Sequence, residues 1–155
     1  GKIIGEGYHE YYGGLHAERN ALKNCKESSE GATLYVTLEP CCHYGKTPPC
    51  TEAILEHRIR KVVVGMTDPN PLMAGKSIAL LKSKGVEVEV GVLEKECMEL
   101  THIFRKYITT KIPYILMKYA MTMDGKIATA SGKSKWITGE TARMCVQDWN
   151  IRRSW

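Results

Sequence analysis

The chain has no apolar run long enough to cross a bilayer, and no charged-then-apolar leader opens it. It has no internal repeat and no low-complexity stretch, which argues against a solenoid array or a disordered tether. There is no methionine at position 1, and no element precedes the apolar start "GKIIGEG", so a piece of a longer protein is expected. These absences lead us to expect a soluble cytoplasmic protein without a membrane partner. Its 155 residues suffice for one modest domain, or for one domain and part of another.

What is present is mildly basic. The net charge of +5 is spread over stretches such as "LKSKG", "IFRKYITTK" and "SGKSKW". Basic runs that bind nucleic acid are interleaved with aromatics, but here only Phe104, Tyr107 and Trp136 sit in or beside one. No nucleic-acid partner is therefore expected; a few lysines holding a phosphorylated small molecule fit better. Six cysteines are an even number, yet Cys25, Cys97 and Cys145 lie singly in helix-like contexts. The other three cluster in "EPCCHYGKTPPC", residues 39–50. In a reducing compartment such clustering points to metal or catalysis before crosslinks.

Along the chain, Lys2 to Gly7 reads as the end of a strand, followed by a glycine-bearing loop. "HAERNALKNC" places Ala17, Ala21 and Leu22 at helical spacing. "ATLYVTLEP" reads as a strand with Leu34, Val36 and Leu38 on one face, stopped at Pro40. A helix over "TEAILEHRI", a fully buried strand "KVVVGM" and a helix "SIALLKSKG" ending at Gly85 follow. "VEVEVGV" alternates as a strand, and "EKECMELTHIFRKYI" reads as one longer amphipathic helix. Strands separated by helices call for parallel pairing through right-handed crossovers. The expected fold class is therefore α/β, three-layered on a mixed sheet, over residues 1–111. A joint at 109–113 opens a second pattern of strand, glycine-containing loop and helix over residues 112–155, with Thr138 as a candidate helix cap.

Hydrolytic zinc chemistry needs three protein ligands, one open position for water, and a base beside the metal. His16 and Glu18, one residue apart at a helix start, suit ligand and base. Cys41 and Cys50 bracket a proline-rich loop, and Cys50 opens a helix whose N-terminus favours a thiolate. Zinc lowers the pKa of its water to about 7. A purely structural zinc would instead need a closed shell of four, with Cys42 or His43 as the fourth ligand.

"HAE" followed by "TLEPCCHYGKTPPC" resembles the zinc deaminase superfamily, whose signature is H-x-E with P-C-x-x-C. Here eight residues rather than two separate Cys41 and Cys50. That longer loop, with "GEGYHEYYGGLHAE", "GMTDPNPLMAGK" and "KYAMTMDGKIATASGKSKWITG", resembles the riboflavin-biosynthesis deaminase-reductase family in particular. The resemblance implies a cytidine-deaminase-like domain, followed by the start of a dihydrofolate-reductase-like domain. It implies removal of an amino group from a diamino-ribosylamino-pyrimidinone phosphate in the first, and NADPH-dependent ribosyl reduction in the second. It implies His16, Cys41 and Cys50 as zinc ligands and Glu18 as the proton shuttle. His9, His43, Lys46 and Thr47 match contacts to ribose and phosphate. Lys118 and Ser134 match substrate positions of the reductase, Ala120 and Trp136 its cofactor positions, and Asn150 stands where an arginine is usual.

Members of that family begin with a helix and a first strand that this chain lacks, and their reductase half is longer. The expectation is a chain that carries the zinc constellation, does not bind NADPH or reduce, and deaminates weakly unless its sheet is completed. Whether it forms a homo-oligomer is left open. Two other readings stand beside this one: a zinc deaminase acting on cytidine or tRNA, and a zinc-stabilised binding module without catalysis.

Overall fold

Chain topology follows from three short apolar stretches. In the computed structural model, which describes residues 1–151 and their side chains through residue 148, these are β1 (Thr33–Leu38), β2 (Lys61–Met66) and β3 (Glu87–Val90). They pair in the order β1-β2-β3, all parallel, with Leu34 opposite Val62, Leu38 opposite Met66, and Val62 opposite Val88. This is the parallel part of the expected mixed sheet; among the described residues there is no antiparallel pair. Val62 to Met66 is buried throughout, as a strand covered on both faces must be, whereas β1 and β3 are half-buried or exposed.

Helices α1 (Ala17–Lys23), α2 (Cys50–Glu56) and α3 (Lys76–Ser83) lie on one face. There Leu22, Ala53, Ile54 and Leu81 close over Val62 and Val64, with Ile59 and Val86 completing the core. Ile54, Val62, Val64 and Leu81 have no exposed surface. Burying one such side chain contributes roughly 1.5–3 kcal/mol. On the other face α4 (Glu94–Leu100) lies directly on β2 at Gly65. A Cβ there would stand 2.2 Å from Cys97 Sγ and 2.9 Å from Thr37 O, so only glycine lets the helix approach this closely.

Four expectations are corrected, the last of them at Thr138. Lys2 to Gly7 forms no strand. It runs along α1, where the Asn20 and Asn24 amides donate to Tyr8 O (2.8 Å) and Glu6 O (3.1 Å). Side-chain amides thus take the place of a strand ladder, and Gly5 and Gly7 press against the helix backbone. The expected single helix after β3 is two, α4 and α5 (His102–Thr110). They part at Thr101 (φ −102°, ψ 12°), whose hydroxyl donates to Cys97 O at 2.8 Å and lies 3.2 Å from Met66 Sδ. Finally, "PYILMKYAM" forms no strand, because a strand exists only through pairing and the described residues of its unit offer no partner.

That segment opens the second of two compact units, the first being Gly1–Tyr114 and the second starting at Ile115. It contains a turn at Thr122–Lys126, with Gly125 at φ +79°, and helix α6 (Glu140–Ile151). Thr138 does not cap α6. Gly139 O accepts the Arg143 N–H at 3.2 Å, and Thr138 O accepts from the Arg143 guanidinium at 2.6 Å. No helix among the described residues is long and apolar enough to cross a membrane.

Gly65→Ala is expected to destabilise the first unit by about 1–3 kcal/mol, because the added methyl group must displace α4 from β2. Urea unfolding followed by circular dichroism checks this; a variant within 0.5 kcal/mol of wild type, the range of an ordinary surface change, would refute the tight packing.

Candidate metal centre

In a parallel sheet the C-terminal ends of all strands lie along one edge, and the candidate site is built there. β1 runs out through Glu39 and the buried Pro40 to Cys41. The chain returns through the loop of residues 42–49 to Cys50, which opens α2 with no exposed surface. The Cys50 N–H donates to Cys41 Sγ at 3.3 Å and the Thr51 N–H to Cys41 O at 3.1 Å, so the two cysteines are pinned to each other. His16 stands at the N-cap of α1 in extended conformation, and its side chain makes no cap bond. Its Nδ1 lies 3.4 Å from Cys41 Sγ and 3.5 Å from Cys50 Sγ.

The three donor atoms lie within 4.8 Å of one another, the one such group of three among the described residues. A tetrahedral zinc with ordinary Zn–N and Zn–S bonds needs N···S edges of about 3.6 Å and an S···S edge of about 3.8 Å. The two N···S separations, 3.4 and 3.5 Å, fit the first of these edges. One nitrogen and two sulfurs are a zinc donor set, and three ligands leave one vertex open. All six cysteines are free thiols, and Cys42 and His43 stand outside the group of three.

The electrostatics of the cluster favour negative charge on sulfur. Hydrogen bonding from Cys50 is the main cause that pulls the Cys41 thiol down to about 4, against burial and with help from His16. Cys50 is pushed up by the same bond and by burial, so one proton serves two sulfurs. The His16 imidazole is raised by its bond to Cys41, with burial opposing. Glu18 is only 8% exposed, and burial raises its carboxyl above the ordinary range despite the His16 charge and a bond from Cys50. Its carboxyl is therefore held beside the donor set.

Around this centre, the exposed His9 ring meets His16 edge-on, with centroids 5.6 Å apart, and its Nδ1 lies 3.1 Å from Leu15 O. His43 and Lys46 are exposed and Thr47 half-buried on the loop between the cysteines; Lys46 Nζ lies 3.8 Å above the Tyr12 ring. In the second unit, Lys118, Ser134 and Trp136 are exposed and Ala120 is half-buried. The Arg143 guanidinium stacks 3.9 Å from the Trp136 ring. The side chain of Asn150 lies outside the described residues.

Two residues at the centre escaped the sequence reading. Glu39, 5% exposed, accepts from Asp68 N (3.1 Å), Gly75 N (2.9 Å), Ser77 N (3.1 Å) and Ser77 Oγ (2.7 Å). Burial alone would raise its carboxyl; these donors outweigh burial and lower it. Glu39 thereby ties the "TDPNP" turn to the edge that carries Cys41. Arg19 is the second: its guanidinium bonds the loop that leads into Cys50. An acidic residue directly before Pro-Cys and a basic residue directly after His-x-Glu were the only signals in the sequence.

Comparison with known proteins places this arrangement. Residues 1–66 match the cytidine and deoxycytidylate deaminase zinc-binding region, and residues 113–152 match the RibD C-terminal domain. The class is therefore that of a cytidine-deaminase zinc domain joined to part of a RibD C-terminal domain. Riboflavin biosynthesis protein RibD of Actinobacillus pleuropneumoniae is 62% identical over 95% of this chain and 39% of its own length. Its counterpart in Aquifex aeolicus is 56% identical over 92% of this chain and 40% of its own length. The solved RibD of Acinetobacter baumannii superimposes with a TM-score of 0.84 at 50% identity, over 97% of this chain and 42% of that one. A diaminohydroxyphosphoribosylaminopyrimidine deaminase/5-amino-6-(5-phosphoribosylamino)uracil reductase from Thermotoga maritima gives 0.82 at 49% identity, over 95% and 42%. The chain belongs to the riboflavin-biosynthesis deaminase-reductase family of the cytidine-deaminase superfamily. It spans about two-fifths of the length of the curated relatives it matches (39% and 40%).

Metal analysis of the purified chain is expected to find one zinc, lost in Cys41→Ser or Cys50→Ser and retained in Cys42→Ser; loss in Cys42→Ser would instead indicate a closed four-ligand shell. Glu39→Gln turns one acceptor oxygen into a donor facing N–H groups and is expected to lower unfolding stability by roughly 1–3 kcal/mol in urea titration.

Proposed function

We propose that residues 1–111 form a zinc-dependent deaminase domain acting on the diamino-ribosylamino-pyrimidinone phosphate of riboflavin biosynthesis. In this reading residues 112–155 are the opening of the NADPH-dependent reductase domain. The single observation that carries it is the three-donor set of His16, Cys41 and Cys50 with the buried Glu18 carboxyl beside it. Zinc held there supplies a hydroxide nucleophile at neutral pH.

The protein's own part is to carry protons and to hold the substrate. Glu18, its carboxyl raised by burial, would take one proton from the attacking water and pass it to the pyrimidine ring nitrogen, then take the second from the hydroxyl so added and pass it to the departing amine, so that both protons of the water are accounted for. Cys41 and Cys50 carry the negative charge that balances the metal, and their mutual bonds keep the donor set from rearranging. Lys46, Thr47 and His43 on the loop between the cysteines, and His9 against His16, would hold the ribose and phosphate, the ammonium and imidazoles matching a dianion. The substrate class is thus a phosphorylated pyrimidine small molecule. In the second segment, Lys118 and Ser134 would meet the reductase substrate, and Ala120 and Trp136 the NADPH. Support for the whole reading comes from the family matches on both segments and from a relative named for both a deaminase and a reductase.

Ammonia release from the pyrimidinone phosphate tests it directly. Zinc-loaded wild type should release ammonia, and Glu18→Gln should retain zinc while slowing release by roughly 100-fold or more. Release from cytidine but not from the pyrimidinone phosphate would transfer the assignment to another deaminase of the superfamily.

A further inference from the structure

The donor set joins two elements that the chain itself keeps apart: His16 at the start of α1, and Cys50 thirty-four positions later at the start of α2. Apart from the donor atoms themselves, the hydrogen bonds between α1 and the loop of residues 42–49, among the described residues, come from one side chain. Arg19 Nε donates to Pro48 O at 3.1 Å, and Arg19 Nη2 donates to Pro49 O at 2.7 Å. Two features make this bond pair specific. Pro48 and Pro49 have no N–H and can offer the rest of the protein only carbonyls, and consecutive carbonyls suit the planar guanidinium fork. Arg19 also lies in the first turn of α1, three positions after His16 at its N-cap. Pro49 is the N-cap of α2, which makes the residue bonded at 2.7 Å the immediate neighbour of the Cys50 donor.

We propose that Arg19 is a positioning residue of the zinc centre: its fork clamps the Pro48-Pro49 backbone to α1 and thereby holds Cys50 at metal-binding distance from His16. The inference rests on the reading of His16, Cys41 and Cys50 as zinc ligands. Arg19 itself contacts neither metal nor substrate in this role. It acts through the loop backbone, by reducing the freedom that Cys50 must lose when the metal binds. Its charge is a different matter, since a lysine would keep the charge but reach only one carbonyl.

The test is zinc affinity of the full chain, by competition with a chromophoric chelator, in wild type, Arg19→Met and Arg19→Lys. The visible absorption of the cobalt-substituted forms gives a second readout that overall stability does not set. Arg19→Met is expected to weaken zinc binding roughly 10- to 100-fold, the usual effect of losing a residue that orients a ligand, and to change the cobalt bands. Arg19→Lys is expected to recover little of the affinity. Full recovery in Arg19→Lys would show that charge acts and the fork does not, which overturns the proposal. Wild-type affinity and cobalt bands in Arg19→Met would overturn it as well. A wild-type chain that binds no zinc would overturn the ligand assignment itself, and the proposal with it.

Discussion

Everything at the candidate site depends on parallel pairing of β1 with the buried strand β2. Because the strands run the same way, their C-terminal ends meet at one edge, and Leu38 lies opposite Met66. The Glu39 N–H then reaches Met66 O at 2.9 Å, which delivers Pro40 and Cys41 beyond the sheet beside the turn that leaves β2. β2 is held in that register by apolar layers on both faces, with Val62 and Val64 under the helices of one side and Gly65 under Cys97 on the other. The metal donors are thus placed by a core to which only Cys50, at the start of α2, belongs.

Two glutamates at this edge show how the same side chain is turned to different ends. Both are nearly removed from solvent, Glu39 at 5% and Glu18 at 8% exposure. Glu39 is surrounded by donors from Asp68, Gly75 and Ser77, so the anion is stabilised and serves as a fixed acceptor that shapes the 67–77 turn. Glu18 has burial as its dominant influence, which raises its carboxyl above the ordinary range. One carboxyl is lowered and the other raised, and the difference lies in the count of N–H and O–H donors around each.

Much of this was readable from residue patterns. The alternation of Leu34, Val36 and Leu38, the run of Val62 to Val64, and the helix over Ala17–Lys23 follow from local periodicity, and each is present. The break at Thr101 was not readable, because it comes from a hydroxyl that satisfies Cys97 O against Met66, a residue 35 positions away. The residues of Lys2 to Gly7 suit a strand. Whether it pairs depends on what lies beside it, and here α1 supplies amides from Asn20 and Asn24. The same distance hid Glu39 and Arg19, whose partners lie 29 to 38 positions along the chain.

By itself, the sequence determined which chemistry is on offer: one imidazole, two thiols and a carboxyl in the order His16, Glu18, Cys41, Cys50, within a pattern that resembles one family. Residue type and spacing suffice for that, because they are local properties and the motif is specific. Only the tertiary structure decided that His16 Nδ1 and the two sulfurs converge at 3.4 and 3.5 Å, that Cys42 stands aside, and that Glu18 is shielded from water. Those outcomes depend on contacts between residues far apart in the chain, and only the packed sheet and helices bring such residues together.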